Sequence, residues 1–303
     1  MAEEYSSHTP VLPEQTLEAF DMGSIETLVD CTVGLGGHAG LLLEHDPRLR
    51  LIGLDVDAGN LALAARHLEA HSQRIRLVQA SFADLDTVLA DLGINGVDGI
   101  LADLGVSSNQ IADANRGLSF SVDGPLDMRL DPRTGTTAAD LVNTLNEGEL
   151  SDLLYLQSQE RQSRRIARRI CQVRRQGRIN STVQLARIVS AAMGRNPDAR
   201  RDRIHPATRT FMALRMAVNR EPEALGRLLS AAPRVLRANG RMTVISFHSV
   251  EDRAVKEDFR ARSREGVYRI LTKRPLVADE QERVANPRSR SAKLRIAERC
   301  GNA

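Results

Sequence analysis

Residues 26–55 read ETLVDCTVGLGGHAGLLLEHDPRLRLIGLD, and this stretch decides the fold. Glu26–Thr32 is a short apolar run that ends in a glycine-rich turn. His38–Glu44 then begins a helix, and Arg50–Asp55 is a second apolar run. Short apolar runs bounded by turn residues read as buried strands, so the stretch forms one strand–helix–strand unit. The alternation continues. Ala58–Ala70 carries apolar residues at helical spacing, Ile75–Gln79 is a third strand and Val97–Asp103 (VDGILAD) a fourth. Strands that are apolar nearly throughout, alternating with helices, predict a parallel, doubly wound sheet.

The next strand of this kind, Arg241–Phe247 (RMTVISF), follows a helical pattern over Ala224–Leu236 and lies far downstream. Consecutive strands of an alternating fold are normally separated by short connections, so something is inserted. The insert reads as helical over Ala138–Asn146, Glu149–Arg175, Thr182–Met193 and Thr208–Asn219, with Pro206 and Pro222 at helix edges. Tyr268–Thr272 and Ala292–Glu298 make a final antiparallel pair. The expected architecture is α/β and Rossmann-like. Core segments 1–112 and 213–303 share a mostly parallel sheet, with a mainly helical domain, 113–212, inserted between them.

With 42% hydrophobic and 27% charged residues, the 303-residue chain can bury a core. No apolar run approaches the ~18 residues of a membrane span. Met1–Pro10 lacks the basic start and apolar stretch of a secretory leader. Three widely spaced cysteines, Cys31, Cys171 and Cys300, fit a reducing compartment, so a cytoplasmic location is expected. None of the three has a nucleophile's His partner in its sequence context. The net charge of +3 hides a strong asymmetry. Residues 1–160 hold 8 Arg and no Lys against 26 acids; residues 161–220 hold 16 Arg and 2 acids; residues 221–303 hold 18 basic residues and 11 acids. Such segregation suggests a polyanionic partner for the basic part. Arginine suits that role because its planar fork pairs with phosphate and stacks on bases. The competing reading is a solvated basic helix.

The turn Asp30-Cys-Thr-Val-Gly34-Leu-Gly36-Gly37-His38 lies at a strand-to-helix junction, where glycines let a ligand approach the backbone and the helix N-terminal N–H groups. The next strand ends in Asp55, placed to accept hydrogen bonds from ribose hydroxyls. Its competing reading is a helix cap before Ala58. Together the two features indicate an adenosine-containing ligand. NAD and S-adenosylmethionine both satisfy that geometry. The leading acid, Asp30, suits a cationic amino-acid group and is unwelcome beside a pyrophosphate, which favours the sulfonium cofactor. Phe82, just past the third strand, can line an adenine or belong to the core. Asp103 and Gln110 follow the fourth strand, at the sheet edge where ligands of open α/β sheets bind. Arg116–Arg129 (RGLSFSVDGPLDMR) is a long non-periodic segment of the kind that carries function. His67 and His71 share helical spacing without a third ligand nearby, so no metal site is expected. His248, after the fifth strand, reads equally as a substrate contact or a helix cap, and His205 as structural or RNA-facing.

Here the sequence resembles the RsmH (MraW) family of bacterial 16S rRNA cytidine N4-methyltransferases. The matching stretches are HTPVLPEQ at 8–15, VDCTVGLGGH at 29–38, LIGLDVD at 51–57, DGILADLGVSSNQ at 98–110 and RGLSFSVDGPLDMR at 116–129. They continue with HPATRTFMALRMAVN at 205–219, GRMTVISFHSVEDRAVK at 240–256 and NPRSRSAKLRIAE at 286–298. They are collinear and span nearly the whole chain. The sequence departs from the family pattern at Tyr155–Glu160, at Phe211–Met216, and at Val56, where the family usually has Arg.

The resemblance implies a class I methyltransferase core that binds S-adenosylmethionine through Gly36, Gly37, His38, Asp55, Phe82, Asp103 and Gln110. It implies methylation of N4 of a decoding-centre cytidine, with the small ribosomal subunit as partner, no membrane contact, and homodimer formation left open. In that setting Asp103 is the expected catalytic acceptor for the amino hydrogens. The cytidine pocket is expected around Arg116, Phe120, Asp127 and Arg129, with His248 a further substrate candidate. Arg164, Arg165, Arg168 and Arg169 are expected to grip phosphates. A nicotinamide oxidoreductase would account only for the glycine turn and Asp55. A non-catalytic RNA-binding protein would leave the cofactor site without a use.

Overall fold

The apolar runs fold as strands whose alternate residues enter two separate cores. In a computed structural model, residues 9–20, 24–133, 135–195 and 205–301 are described. The N-terminal stretch read for a leader therefore lies mostly outside the described residues, as do His8 and three of the insert's arginines, Arg200, Arg201 and Arg203. The chain divides into two compact units, 1–105 with 222–303 and 106–221. The expected insert, 113–212, falls inside the second.

The first unit begins with α1 (Pro13–Ala19), β1 (Thr27–Asp30), α2 (Gly37–His45), β2 (Arg50–Asp55), α3 (Ala58–His67), β3 (Ile75–Gln79), α4 (Leu85–Asp91) and β4 (Val97–Asp103). The second unit holds α5 (Ser108–Ala112), α6 (Ala138–Thr144), α7 (Glu147–Ser158), α8 (Ser163–Val173), α9 (Thr182–Ala192) and α10 (Thr208–Val218). The chain returns through α11 (Glu221–Val235) to β5 (Leu236–Ser246), α12 (Ser249–Arg264), β6 (Tyr268–Ile270), α13 (Glu280–Ala285) and β7 (Lys293–Arg299). Among the described residues no helix is long and apolar enough to cross a membrane.

The sheet order is β3-β2-β1-β4-β5-β7-β6. β7 pairs antiparallel with both β5 and β6, while β1 to β5 pair in parallel. The sheet is thus the mostly parallel one read from the sequence, and the tail pair forms at its edge. β5 starts at Leu236, ahead of the expected Arg241, with an irregular register opposite Val97 and Gly99. Val29, Ile52, Ile100 and Val244 face one core; Leu28, Leu51, Leu101 and Ile245, their chain neighbours, face the other. Covering both faces is what makes these strands read as unbroken apolar runs.

In the second unit, the single helix read over 149–175 is two. Gln159 takes a left-handed conformation (φ 55°) that ends α7, and the chain restarts as α8. The break lets Leu150 and Leu154 of α7 and Ile166 and Ile170 of α8 enter the same core, with Leu185, Val189, Phe211 and Leu214; one straight rod could not fold back in this way. Tyr155 and Leu156, in the stretch that departs from the family pattern, are exposed, while Glu160 is buried.

The segment 116–130 is pinned to this core. Leu126 and Met128 are buried in it. Asn219 accepts from the Leu130 N–H at 2.8 Å and donates to the Met128 carbonyl at 2.8 Å. Gly117 (φ +65°) passes so close to the Pro125 carbonyl that a Cβ there would lie 2.0 Å from its oxygen, so only glycine fits.

Candidate active site

The chain runs outward from β1 to β2 and β3, then returns to place β4 on the other side of β1. This reversal makes a crevice at the C-terminal ends of β1 and β4, the place where open α/β sheets bind ligands. Asp30 ends β1, Asp55 ends β2 and Asp103 ends β4.

The glycine turn bridges β1 to α2. Gly36 (φ +88°) precedes the helix, and a Cβ there would come within 2.9 Å of Leu68 Cδ1. The turn leans on the end of β2, where the Gly34 N–H donates to Asp55 Oδ2 at 3.1 Å. Asp55 also accepts from the Asp57 N–H at 2.8 Å and from Asn60 Nδ2 at 3.0 Å. The cap of α3 is Asp57, which accepts from the Gly59 N–H at 2.9 Å. Asp55 is therefore not the cap, and its carboxylate is fixed beside the turn. Burial raises its pKa against the pull of these hydrogen bonds.

Asp30, His38 and Asp103 come together behind the turn. Thr32 links the two acids. Its N–H donates to Asp30 Oδ1 at 3.0 Å, and its hydroxyl oxygen accepts from the Asp103 N–H at 2.7 Å. Asp30 is 1% exposed. Burial pushes its carboxyl up to about 6, opposed by His38 and by the Thr32 N–H. Burial pushes Asp103 further, to about 7, although the Arg288 guanidinium pulls it down. Asp103 Oδ1 is buried without a hydrogen-bond partner among the described residues. Two acids with raised pKa and an orphaned acceptor make a cluster suited to a cation.

His38 meets the Val11 carbonyl through Nε2 at 2.8 Å. Burial lowers its pKa, so the ring is neutral. This brace was not read from the sequence. The Leu12 N–H donates to Glu282 Oε1 at 2.7 Å, and Asn286 Nδ2 donates to the Thr9 carbonyl at 3.2 Å. Residues near both termini of the chain thus hold the histidine, and Arg288, also not anticipated, sets the charge beside Asp103. The stretches HTPVLPEQ at 8–15 and NPRSRSAKLRIAE at 286–298 contain Val11 and Arg288, but nothing in their local pattern says that they meet.

Phe82 is half-buried and packs against the core cluster of Val29 and Ile52. His248 caps α12, accepting from the Glu251 N–H at 3.4 Å, with Nε2 3.0 Å from Glu251 Oε1. His71 Nδ1 lies 2.9 Å from Arg74 Nη2. Among the described residues no three His, Cys, Asp or Glu side chains gather as a metal site. Cys31 and Cys171 are buried thiols.

The remaining candidates belong to the second unit. Gln110 is buried and works in a capping box, its Oε1 accepting from the Ser107 N–H at 3.0 Å. Arg116 donates to the Leu130 carbonyl at 3.3 Å. Phe120 packs its ring 4.5 Å from His205 and 4.8 Å from Phe211. Asp127 and Arg129 form a two-pronged ion pair, with both contacts at 2.7 Å. Along α8, Ile166, Ala167, Ile170 and Cys171 are buried, while Arg164, Arg165, Arg168 and Arg169 are exposed. Arg168 reaches Glu147 at 3.3 Å, a surface contact of small energetic weight.

The residues of the first unit fit S-adenosylmethionine. The glycine turn leads into the α2 N-terminus, the Asp55 carboxylate is held beside it at the end of β2, and Asp30 and Asp103 suit positive charge. A sheet of this order with this site defines a class I methyltransferase that uses S-adenosylmethionine. The family model of the MraW methylase family matches residues 5–300, and the chain belongs to that family. It is 48% identical over 306 residues to the ribosomal RNA small subunit methyltransferase H of Prochlorococcus marinus (strain MIT 9303), covering 99% of this chain and 91% of that protein. It is 47% identical over 310 residues to the protein of the same name from Syntrophobacter fumaroxidans, covering 97% of each.

Proposed function

We propose that this protein methylates N4 of a cytidine in the decoding centre of 16S rRNA, acting on the small ribosomal subunit in the cytoplasm. The observation that carries this reading is the 48% identity, along 99% of the chain, to a protein named for small-subunit rRNA methylation. The resemblance of the site motifs to the N4-methyltransferase pattern supplies the base and the atom.

S-adenosylmethionine supplies the methyl group from a sulfonium that becomes a neutral thioether. The exocyclic amine of cytosine is a weak nucleophile, because its lone pair is conjugated with the ring. The protein's main contribution is to align that nitrogen with the methyl carbon, since well-oriented reactants can gain ~7–11 kcal/mol. The target base leaves its stack to reach the pocket. Asp103 accepts a hydrogen bond from the amine through its orphaned Oδ1. As the N–C bond forms, the nitrogen gives up a proton, and a carboxylate with a pKa near 7 can take it and release it to water. Asp30 and Asp55 hold the cofactor's cationic and ribose groups, Gly36, Gly37 and His38 shape its seat, and Phe82 completes the contacts of this unit. The 106–221 unit holds RNA, with α8 on phosphates and the 116–129 segment on the base, where Phe120 offers a stacking edge.

The test is transfer of tritiated methyl to small subunits and to free 16S rRNA from a strain lacking the enzyme, with mass mapping of the modified nucleotide. Label on a decoding-centre cytidine at N4 is expected. No label on either substrate, or label on another base, overturns the reading.

A further inference from the structure

We infer that the concavity between α12 and β6 binds RNA backbone phosphates, giving the methyltransferase unit an anchoring surface of its own. The inference rests on an RNA substrate as proposed above. The concavity has a volume of about 410 Å³ and is floored by Phe259 and Ile270. Lys256, Arg260 and Lys273 line it, together with Ser263. Arg295 lines it too but is committed to Asp252 at 2.7 Å, and Arg269 is committed to Glu298.

Lys256, Arg260 and Lys273 have no carboxylate partner among the described residues, whereas several other arginines of this unit do. Arg227 pairs with Asp84 at 2.7 Å, Arg234 with Asp86 at 2.6 Å, Arg237 with Asp98 at 3.0 Å and Arg241 with Glu298 at 3.2 Å. Three cations without carboxylate partners around one concave surface suit the repeated anions of a polynucleotide rather than a single small anion. β6 is the edge strand, three strands from β4 in the sheet order. At ~4.8 Å per strand, the surface lies roughly 14 Å across the sheet from Asp103's strand. A single bound RNA can span such a distance. The competing account is that these cations only guard a sheet edge against pairing with another chain.

The full chain carrying Lys256→Gln, Arg260→Gln and Lys273→Gln tests the inference. Binding of 16S rRNA is measured over a range of salt concentrations, beside cofactor titration and thermal melting. Each lost phosphate contact lowers the slope of log affinity against log salt by ~0.7 to 0.9, so a fall of about 2 is expected for the triple variant. Cofactor affinity and melting should be unchanged, and Lys256→Arg with Lys273→Arg should keep the parent slope. Should the triple variant melt early, the single exposed change Lys273→Gln serves, with an expected fall of ~0.7. An unchanged slope overturns the inference and leaves the edge-guard account. So does saturable binding of inorganic phosphate that these changes abolish while RNA affinity stays at the parent level. Methyl transfer by the unaltered protein is scored separately, so failure of the proposed function is distinguishable from failure of this surface.

Discussion

His38 Nδ1 lies 3.7 Å from Asp103 Oδ2, while the opposite ring nitrogen meets the Val11 carbonyl at 2.8 Å. A carbonyl oxygen only accepts, so Nε2 carries the ring proton and Nδ1 presents a lone pair to the carboxyl group. Two acceptors face each other comfortably only when Asp103 holds a proton. That agrees with a carboxyl pushed up to about 7. A bound sulfonium and ammonium reverse the preference, because positive charge favours the ionised acid.

Cofactor affinity should therefore rise with pH. Asp30 and Asp103 titrate near 6 and 7, and a cation binds best after both protons have left. Titration calorimetry should show S-adenosylmethionine binding roughly tenfold tighter at pH 8 than at pH 6, with proton release near neutral pH. S-adenosylhomocysteine, which lacks the sulfonium charge, should show a shallower profile. A flat profile for both ligands would count against this role for the acids.

Stability of the ligand-free protein should run the other way. Both acids have folded pKa values raised above that of an ordinary aspartate, so between these limits the folded state binds more protons than the unfolded one. Their contribution is present at low pH and is lost as pH rises through about 6 and 7. The dependence should be read as the difference between the parent and Asp103→Asn, which removes the Asp103 share and should flatten the melting temperature between pH 5 and 8.

Asp103→Asn should also lower turnover by ~10²- to 10⁴-fold, the usual worth of a positioned proton acceptor. Binding of RNA should be retained. Single-turnover methyl transfer at saturating cofactor is the measurement, and full turnover with normal binding would remove Asp103 from the chemistry.

Gly36→Ala should cost about 1–2 kcal/mol of stability, because the residue sits at φ +88° and the new methyl would press on Leu68. Cofactor affinity should fall with it, since the turn and the start of α2 must shift. Denaturant melts and cofactor titration check the two effects independently.

Replacing Arg164, Arg165, Arg168 and Arg169 with Gln removes four charges from the exposed face of α8 and touches none of its buried residues. RNA affinity should drop by at least tenfold at low salt and its salt slope should shrink by about 3. Cofactor affinity should hold. Loss of cofactor affinity instead would mean that α8 supports folding rather than RNA binding.

Asn219→Ala should destabilise the second unit by about 1–3 kcal/mol, because it orphans the Leu130 N–H and the Met128 carbonyl in a segment with a buried core contact. A lower melting temperature with unchanged cofactor affinity is expected.

Much of this molecule was legible in its sequence. The first four strands appear where apolar runs meet glycine or charge, because a strand buried on both faces must be apolar at every position. The three acids at the ends of β1, β2 and β4 could be named for the same reason, since each ends an apolar run. The α7–α8 break was missed because Gln159 is not a residue that announces a left-handed turn; the packing of two helices on one core imposes it. The capping roles of Asp57 and Gln110 were equally hidden, since a polar side chain's partner depends on where the backbone N–H groups point, while His248 proved to be the helix cap that was one of its two readings.

The sequence by itself determined the alternating sheet, the glycine turn, the helical insert and the segregation of charge, all of which follow from local spacing and composition. Tertiary structure alone decided the electrostatics of the site. The Val11 carbonyl holds His38, Glu282 holds the neighbouring Leu12 N–H, and Arg288 sits beside Asp103, although these residues are far apart along the chain. Burial and the field of distant charges set a pKa, and neither is a property of a residue's neighbours in sequence.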